Sequence, residues 1–264
     1  MFSEQSRLLI LIFVCALLWS LESFNPHSRY ANERFRRSLP NIGLTVALVL
    51  TNLLLSIASA RVAGFTQTYQ FGLLFLFKLS PWVVLIVGIA ALDLFAYLAH
   101  VLLHKSWLGW QFHRVHHSDG DVNVTTAFRQ HPGETVWRVF WQVLAVVVFG
   151  LPLSVVAVYL MISALNAQLE HANIMVNETL DRWLRLIVVT PNMHKVHHSR
   201  EQHETDTNYS NIFSVWDRIF RTYTATVDFR TLRYGLDGFD DRKQQTLPAL
   251  LKLPFLVHNA GGVG

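Results

Sequence analysis

The stretch that decides the fold is DLFAYLAHVLLHKSWLGWQFHRVHH, residues 93–117, in which an apolar helical segment runs into five histidines. His100 and His104 are four residues apart, so both imidazoles lie on one face of a helix and can bind one metal ion. The pattern His-x2-His-His follows at residues 113–117 and returns at residues 194–198. Three clusters with helical spacing predict a catalytic metal site, because isolated core or surface histidines do not repeat in this way.

The three clusters supply eight candidate metal ligands: His100, His104, His113, His116, His117, His194, His197 and His198. The two adjacent histidines of each His-x2-His-His cluster diverge by about 100° on a helix, so they can reach different ions. A paired-metal site is therefore predicted. Imidazole suits iron, zinc, copper or nickel, so the ligand type alone leaves the metal open.

The composition indicates a membrane protein. Hydrophobic residues make up 52% of the 264 residues and charged residues only 15%, with a mean hydropathy of +0.30, so there is too little charge to cover a soluble surface. The net charge is +4, but the basic residues are scattered between apolar segments and form no long face. We therefore predict contact with membrane lipids and no nucleic-acid partner. The single cysteine, Cys15, excludes a disulfide framework.

Four apolar segments predict the topology. Residues 8–21 are interpreted as a short uncleaved anchor, residues 42–60 as a full span, and residues from about 73 to 103 as a third span in which Pro81 marks a helix start or kink. The fourth segment, residues 139–169, is 31 residues long, too short for two crossings of about 30 Å each. It is predicted to be a bent hairpin or re-entrant segment that turns at Gly150. The predicted fold is thus all-α and integral to the membrane, with about three transmembrane helices and a helical, histidine-rich metal domain.

The distribution of arginine predicts the sidedness. Residues 29–37 contain four arginines against one glutamate, and the positive-inside rule places such a loop in the cytoplasm. Counting the crossings then puts the histidine clusters on the cytoplasmic side as well. We expect residues 1–38 to form an anchor and basic cytoplasmic loop, residues 39–250 a membrane-embedded catalytic domain, and residues 251–264 a C-terminal tail.

Asp93 and Tyr97 share a helix face with the first histidine pair, since Asp93, Tyr97, His100 and His104 are spaced four, three and four residues apart. A carboxylate within an apolar helix is costly and tends to be functional. We predict that Asp93 accepts a hydrogen bond from the far nitrogen of a ligating histidine and so orients it, a polar contact between helices being the alternative. Residues 211–220 are predicted to form an amphipathic helix.

The chain resembles the fatty acid hydroxylase and sterol desaturase superfamily of membrane enzymes over roughly residues 40–250. The resemblance rests on the order of the three histidine clusters, on Asp93, and on the sequences WQFHRVHHS at 110–118, TAFRQHP at 126–132, EHAN at 170–173, NY at 208–209 and WDR at 216–218. It implies that His171 is a further metal ligand, which the returning hairpin brings to the other histidines.

The chain also departs from that pattern. Some relatives carry a second histidine one turn before the position of His171, where this chain has Ala167 and Gln168. We expect that coordination position to be filled by Gln168, by Asn173 or by water, or to be left empty. We expect His131 to have a structural or supporting role rather than to bind metal. Three other histidines are expected to lie away from the ligands: His27, His203 and His258.

The resemblance implies an enzyme in which two iron ions use O2 to hydroxylate or desaturate a C–H bond of a lipid, such as a sterol or fatty acyl chain. The sequence has no Gly-x-Gly-x-x-Gly motif and no phosphate loop, so the electrons must come from a separate donor. The resemblance implies cytochrome b5, ferredoxin or a similar carrier. The short chain without an appended redox domain indicates a stand-alone enzyme, for which we expect a bacterial inner membrane.

Two other protein classes share buried histidines: a metal transporter or sensor, and a catalytically silent metal-binding membrane protein. A transporter needs polar ligands across the membrane midplane, whereas residues 42–60 contain only scattered Thr, Asn and Ser. A zinc hydrolase typically uses three protein ligands, fewer than the imidazoles in this chain. The sequence therefore favours two redox metals.

Overall fold

The computed structural model describes residues 4–24, 26, 34–224 and 231–256, and these residues form an all-helical protein without a β-strand. The α-helices among them are α1 (Glu4–Leu21), α2 (Arg34–Thr68), α3 (Pro81–Lys105), α4 (Trp107–His117), α5 (Pro132–Phe149), α6 (Leu153–His171), α7 (Glu178–Leu184), α8 (Pro191–His197), α9 (Gln202–Thr205), α10 (Val215–Ile219) and α11 (Leu247–Lys252). Short 3₁₀ helices include Leu73–Leu76, Val124–Phe128 and Leu253–Phe255. The predicted all-α class is confirmed.

Three segments of the described chain are long and apolar enough to cross a membrane: Arg34–Leu76, Pro81–Lys105 and Leu153–His171. The first contains the span predicted at residues 42–60. The second covers residues 81–103 of the span predicted from about 73 to 103, whose first residues instead form the 3₁₀ helix Leu73–Leu76 and the link to α3. The third differs from the prediction, because the N-terminal run is a shorter apolar helix, Gln5–Leu21. Helix α6 is the third span instead, because it continues past the end of the apolar run at residue 169 through Glu170 and His171 and so reaches 19 residues. This gives about 28 Å, close to the thickness of the hydrocarbon core.

Helix α3 begins at Pro81, so this proline marks a start and not a kink. The side chain of Ser80 accepts a hydrogen bond from the backbone N–H of Val83, and Pro81 lies in the first turn, where a missing N–H costs nothing. The helix then continues for 25 residues. His100 and His104 therefore lie in its last two turns, and α4 brings the next histidine cluster immediately afterwards.

A tight turn at Gly150 separates α5 from α6. Gly150 has φ 71° and ψ 46°, the left-handed conformation that favours glycine. A Cβ at this position would lie 2.5 Å from the carbonyl oxygen of Phe71, so a side chain does not fit. The apolar run predicted as a bent hairpin or re-entrant segment is thus two helices joined by this turn, and they extend beyond the run at both ends. The start of α5 and the end of α6 both lie beside the histidines, because Glu134 contacts His113 and His171 contacts His116.

The long helices pack around α3. Helix α5 packs against α2 and α3, while α6 packs against α3 and α8. An apolar core lies where α3, α5 and α6 meet, and its fully buried members include Leu92, Ala145, Val146, Leu151, Val155, Val156 and Tyr159. This core holds the histidine-bearing ends of α3 and α6 in fixed positions relative to each other.

A buried carboxylate ties the N-terminal segment to the rest of the protein. Glu22 Oε1 accepts hydrogen bonds from the backbone N–H groups of Val124 at 2.7 Å and Asn173 at 2.8 Å. Its other oxygen pairs with Arg34 at 2.6 Å. Helix α1 also packs against α6. The segment predicted as an anchor is therefore fixed directly to the residues that follow His171.

Candidate metal centre

The helix ends bring nine histidines together. They come from α3, α4, the last residue of α6, α8 and the residue that follows α8: His100, His104, His113, His116, His117, His171, His194, His197 and His198. All nine are buried. They are the nine histidines named as candidate ligands from the sequence.

The nine side chains form two groups. Group A consists of His100, His104, His113, His117 and His197, and group B consists of His116, His171, His194 and His198. In each group the ring nitrogens that face one another lie within 4.8 Å. Adjacent histidines divide between the groups, as their divergence on a helix requires. His171 joins group B although it is more than fifty residues from His116 in sequence.

Backbone carbonyls fix the tautomer of several rings. The Nδ1 atoms of His100, His171 and His197 each lie 2.7 Å from a carbonyl oxygen, and Nδ1 of His116 lies 3.2 Å from the carbonyl oxygen of Arg129. A carbonyl only accepts hydrogen bonds, so each Nδ1 carries the proton. The Nε2 atom of each ring therefore presents a lone pair to the group, which is the arrangement that metal-binding histidines adopt.

The Nε2 atoms converge more closely than hydrogen bonding explains. In group B those of His171, His194 and His198 form a triangle with sides of 3.0, 3.1 and 3.1 Å. Since His171 carries its proton on Nδ1, its Nε2 can only accept, and one N–H cannot point along two sides of a triangle. Nitrogens bound at right angles about 2.1 Å from one ion lie about 3.0 Å apart. The spacing is therefore that of ligands around a common cation.

Group A has the same spacing. His100 Nε2 lies 3.0 Å from His113 Nε2 and 3.1 Å from His197 Nε2, and His113 Nε2 lies 3.2 Å from His117 Nε2. Burial lowers the pKa of His113, and it lowers the pKa of His117 and His197 well below the usual value. These rings are neutral at pH 7, so their nitrogens are available to a metal ion.

Two carboxylates that the sequence analysis missed lie behind group A. Glu134 Oε1 is 3.0 Å from His113 Nδ1, and Asp206 Oδ1 is 3.4 Å from His104 Nδ1. Burial alone would raise the pKa of Asp206, but the neighbouring His104 and Lys105 bring it below its usual range. A carboxylate behind a ligating imidazole orients the ring and makes it a stronger ligand. One signal in the sequence could have found Glu134: it lies two residues after the TAFRQHP sequence at 126–132, in the first turn of α5.

Asp93 does not have the predicted partner. Its Oδ1 accepts from the backbone N–H of Ile212 at 3.1 Å, and its Oδ2 accepts from the N–H of Phe213 at 2.9 Å and from Trp216 Nε1 at 2.9 Å. No described hydrogen bond joins Asp93 to an imidazole. The carboxylate instead fixes residues 211–216 to α3. Residues 211–214 form bends, an isolated bridge and a turn where an amphipathic helix was predicted. Only Val215–Ile219 is helical.

The other predicted supporting residues surround the site without joining either group. The hydroxyl of Tyr97 lies 2.8 Å from Thr222 Oγ1, and its ring packs against Tyr209, which contacts His100. His131 Nδ1 accepts a hydrogen bond from the N–H of Gly133 and so caps α5.

The side chain of Gln168 is buried, and neither of its polar atoms has a hydrogen-bond partner in the described structure. Asn173 is buried, and its backbone N–H donates a hydrogen bond to Glu22 Oε1. His203 is exposed, whereas His27 and His258 lie outside the described residues.

We expect replacement of Asp93 by alanine to lower stability strongly. The change leaves two backbone N–H groups and the Trp216 indole without an acceptor, so the loss should be at least about 3 kcal/mol. The thermal unfolding midpoint of the purified protein measures it. Asp237, whose side chain is 90% exposed and contacts Arg200 at 3.5 Å, is the matched control, and its alanine variant should unfold like the wild type. Equal midpoints for both variants would contradict the assigned role of Asp93.

A cavity of about 270 Å³ opens beside the two groups. His100 of group A and His116, His171 and His194 of group B line it. Apolar side chains from α2, α3, α5, α6 and the 3₁₀ helix Val124–Phe128 form much of the remaining wall, including Leu48, Leu92, Ala96, Phe128, Val139, Leu160 and Ala164. A hydrocarbon segment in this cavity would lie against imidazoles of both groups.

The fold and the site define a helical protein with membrane-length helices and a buried centre of two histidine groups. The chain belongs to the fatty acid hydroxylase family, because the model of that family matches residues 85–222, which include all nine histidines.

Alkylglycerol monooxygenase from Homo sapiens is 34% identical over 159 residues, which cover 60% of this chain and 34% of that protein. Alkylglycerol monooxygenase from Caenorhabditis elegans is 30% identical over 157 residues, covering 60% of this chain and 30% of that protein. Ornithine lipid hydroxylase OlsE from Rhizobium tropici is 31% identical over 139 residues, covering 52% and 41%. The matched region thus spans well under half the length of these relatives. No solved structure gives a significant match.

Proposed function

We propose that groups A and B each hold one iron ion and that the protein uses O2 to hydroxylate a C–H bond of a lipid. The observation that carries the proposal is the convergence of nine buried imidazoles into two groups beside a largely apolar cavity. The family match supports it, and so do the relatives, whose names describe a monooxygenase or a hydroxylase acting on a lipid. Their names also favour hydroxylation over desaturation.

The residues fit the proposed metals. Every candidate ligand is an imidazole nitrogen, a donor that suits iron, and the number of imidazoles exceeds the three ligands of a typical catalytic zinc. Bound iron would supply the activation of O2 and the oxidising power for C–H cleavage, as cofactors do in such enzymes. The chain itself excludes water through burial, orients the rings through carbonyls and carboxylates, and positions the lipid in the cavity.

Hydroxylation places one oxygen atom of O2 in the product and the other in water, which consumes two electrons and two protons. We propose that a separate carrier such as cytochrome b5 or ferredoxin supplies the electrons. Transport of metal is a weaker alternative, because the membrane-length helices contribute histidines only near their ends, at His100, His104 and His171.

We also propose that the histidine centre faces the cytoplasm. Asn41, near the arginine-rich start of α2, donates a hydrogen bond to Asp119, two residues after His117. Arg37 pairs with Asp121 at 2.5 Å. The positively charged end of α2 thus lies on the same side as the histidines, and the positive-inside rule assigns that side to the cytoplasm.

The proposal is tested by producing the wild type in a host under 18O2 and comparing the lipids with those of the same host producing an inactive histidine variant. We expect a lipid with one 18O atom only with the wild type, together with about two iron atoms per purified chain by elemental analysis. An unlabelled, newly unsaturated lipid would show that the reaction is desaturation and not hydroxylation. Iron-loaded protein without any altered lipid or O2 consumption would favour the catalytically silent alternative.

A further inference from the structure

A cationic side chain lies in the cavity beside the histidines. Arg138 on α5 lines this cavity, and its side chain is 30% exposed. A charged group among membrane-length helices is costly and is usually retained for a function. The position of its guanidinium therefore bears on what the cavity binds.

Within the described part of the chain, only one of the N–H donors of Arg138 makes a hydrogen bond. Its Nε donates to Glu134 Oε1 at 2.8 Å, and the same oxygen lies 3.0 Å from Nδ1 of His113 in group A. A guanidinium has five N–H donors, and within the described structure no hydrogen bond involves the four on its Nη atoms. One carboxylate oxygen thus separates Arg138 from a group A imidazole, which fixes the cation near the proposed metals.

Arg138 also lies near group B. His116, His171 and His194 of group B line the same cavity as Arg138. The cavity wall near Arg138 on α5 includes Gln142 and Val139, so a polar and an apolar surface adjoin there. The acidic residue in the wall is Glu170, whose Oε1 is 3.8 Å from Nε2 of His194 and which therefore faces group B.

We propose that Arg138 binds an anionic oxygen group, a carboxylate or phosphate, of the lipid in this cavity, so that the oxidised carbon lies within a few bonds of that group. Paired Nη donors match the geometry of both oxyanions. Because Glu134 holds Arg138 close to the histidines, an anion on the guanidinium brings its attached carbons close to them as well. The inference rests on the proposed lipid oxidation for its second half, whereas the anion site itself can be tested without turnover.

The test measures binding by the metal-loaded protein in phosphatidylcholine nanodiscs, without O2. The probes are radiolabelled dodecanoate, dodecyl phosphate and dodecanol, each measured against empty nanodiscs. We expect at least one anionic probe to bind about tenfold or more tightly than dodecanol, as one charge-assisted contact predicts. Comparison of the two anions identifies the source of the oxyanion. Equal affinity for all three probes in the wild type would overturn the proposal without any variant.

Substitutions then assign the preference to Arg138. Arg138→Met should lose it while still binding dodecanol and metal, and Arg138→Lys should keep part of it, because an ammonium attracts the anion without a paired contact. Arg182→Met, at an exposed position on α7, should bind like the wild type. Full anion preference in Arg138→Met would overturn the assignment, and loss of the preference in Arg138→Lys together with Arg182→Met would do the same. Anion binding without lipid oxidation would remove the proposed function and the placement of the oxidised carbon but keep the anion site, whereas oxidation without anion preference would remove only this site.

Discussion

Replacing His197 or His198 by alanine is expected to remove one metal ion each and to abolish lipid oxidation in both variants. The two residues are adjacent at the end of α8, yet His197 belongs to group A and His198 to group B. Each variant should keep about one iron of the two, and the double variant should keep none. Turnover should fall by more than about a hundredfold, since even residues behind metal ligands are worth 10–100-fold. Elemental analysis and product formation under 18O2 measure the two quantities.

His203→Ala is the matched control, because His203 is exposed and belongs to neither group. It should keep both metal ions and full activity. The two single variants together distinguish two metal centres from one shared centre, because a single shared site would lose all its metal in either variant. Full iron content and turnover in either His197→Ala or His198→Ala would remove that histidine from the ligand set.

The division into two groups follows from local geometry, which is why the sequence could predict it. Adjacent residues on a helix diverge by about 100°, and the structure places His116 and His117 in different groups. The long apolar segments predicted helices, and Pro81 was predicted to mark a helix start or kink, of which the structure shows the start. His171 lies outside these repeats, and only the resemblance to a known family brought it into the set.

The contacts that support the histidines could not be predicted in this way. Asp93 shares a helix face with His100, but a shared face does not bring side chains seven residues apart into contact. Its carboxylate instead meets the backbone of Ile212 and Phe213, residues far along the chain. Glu134 reaches His113 because the start of α5 packs beside α4. Such pairs depend on helix packing, which carries no periodic signal in the sequence.

The second large effect is expected for Glu134→Gln. The glutamate oxygen that contacts His113 also pairs with Arg138, so one substitution removes a negative charge from behind a proposed ligand. Glutamine preserves the size of the side chain but not its charge. We expect the affinity of group A for iron to fall by about 10–100-fold, the usual effect of losing such a carboxylate. Competition with a chelator measures the affinity, and the iron of group B should be much less affected.

Glu178→Gln on α7 is the control for the loss of one negative charge, because the Glu178 side chain is 59% exposed and pairs with Arg185 at 2.8 Å. It should leave iron affinity unchanged. Comparison with Arg138→Met then separates the two ends of the His113–Glu134–Arg138 chain: the glutamine variant should lose metal, whereas the methionine variant should keep metal and lose the anion preference. If Glu134→Gln holds iron as tightly as the wild type, the carboxylate serves Arg138 alone. The orientation of His113 must then come from the packing around its ring.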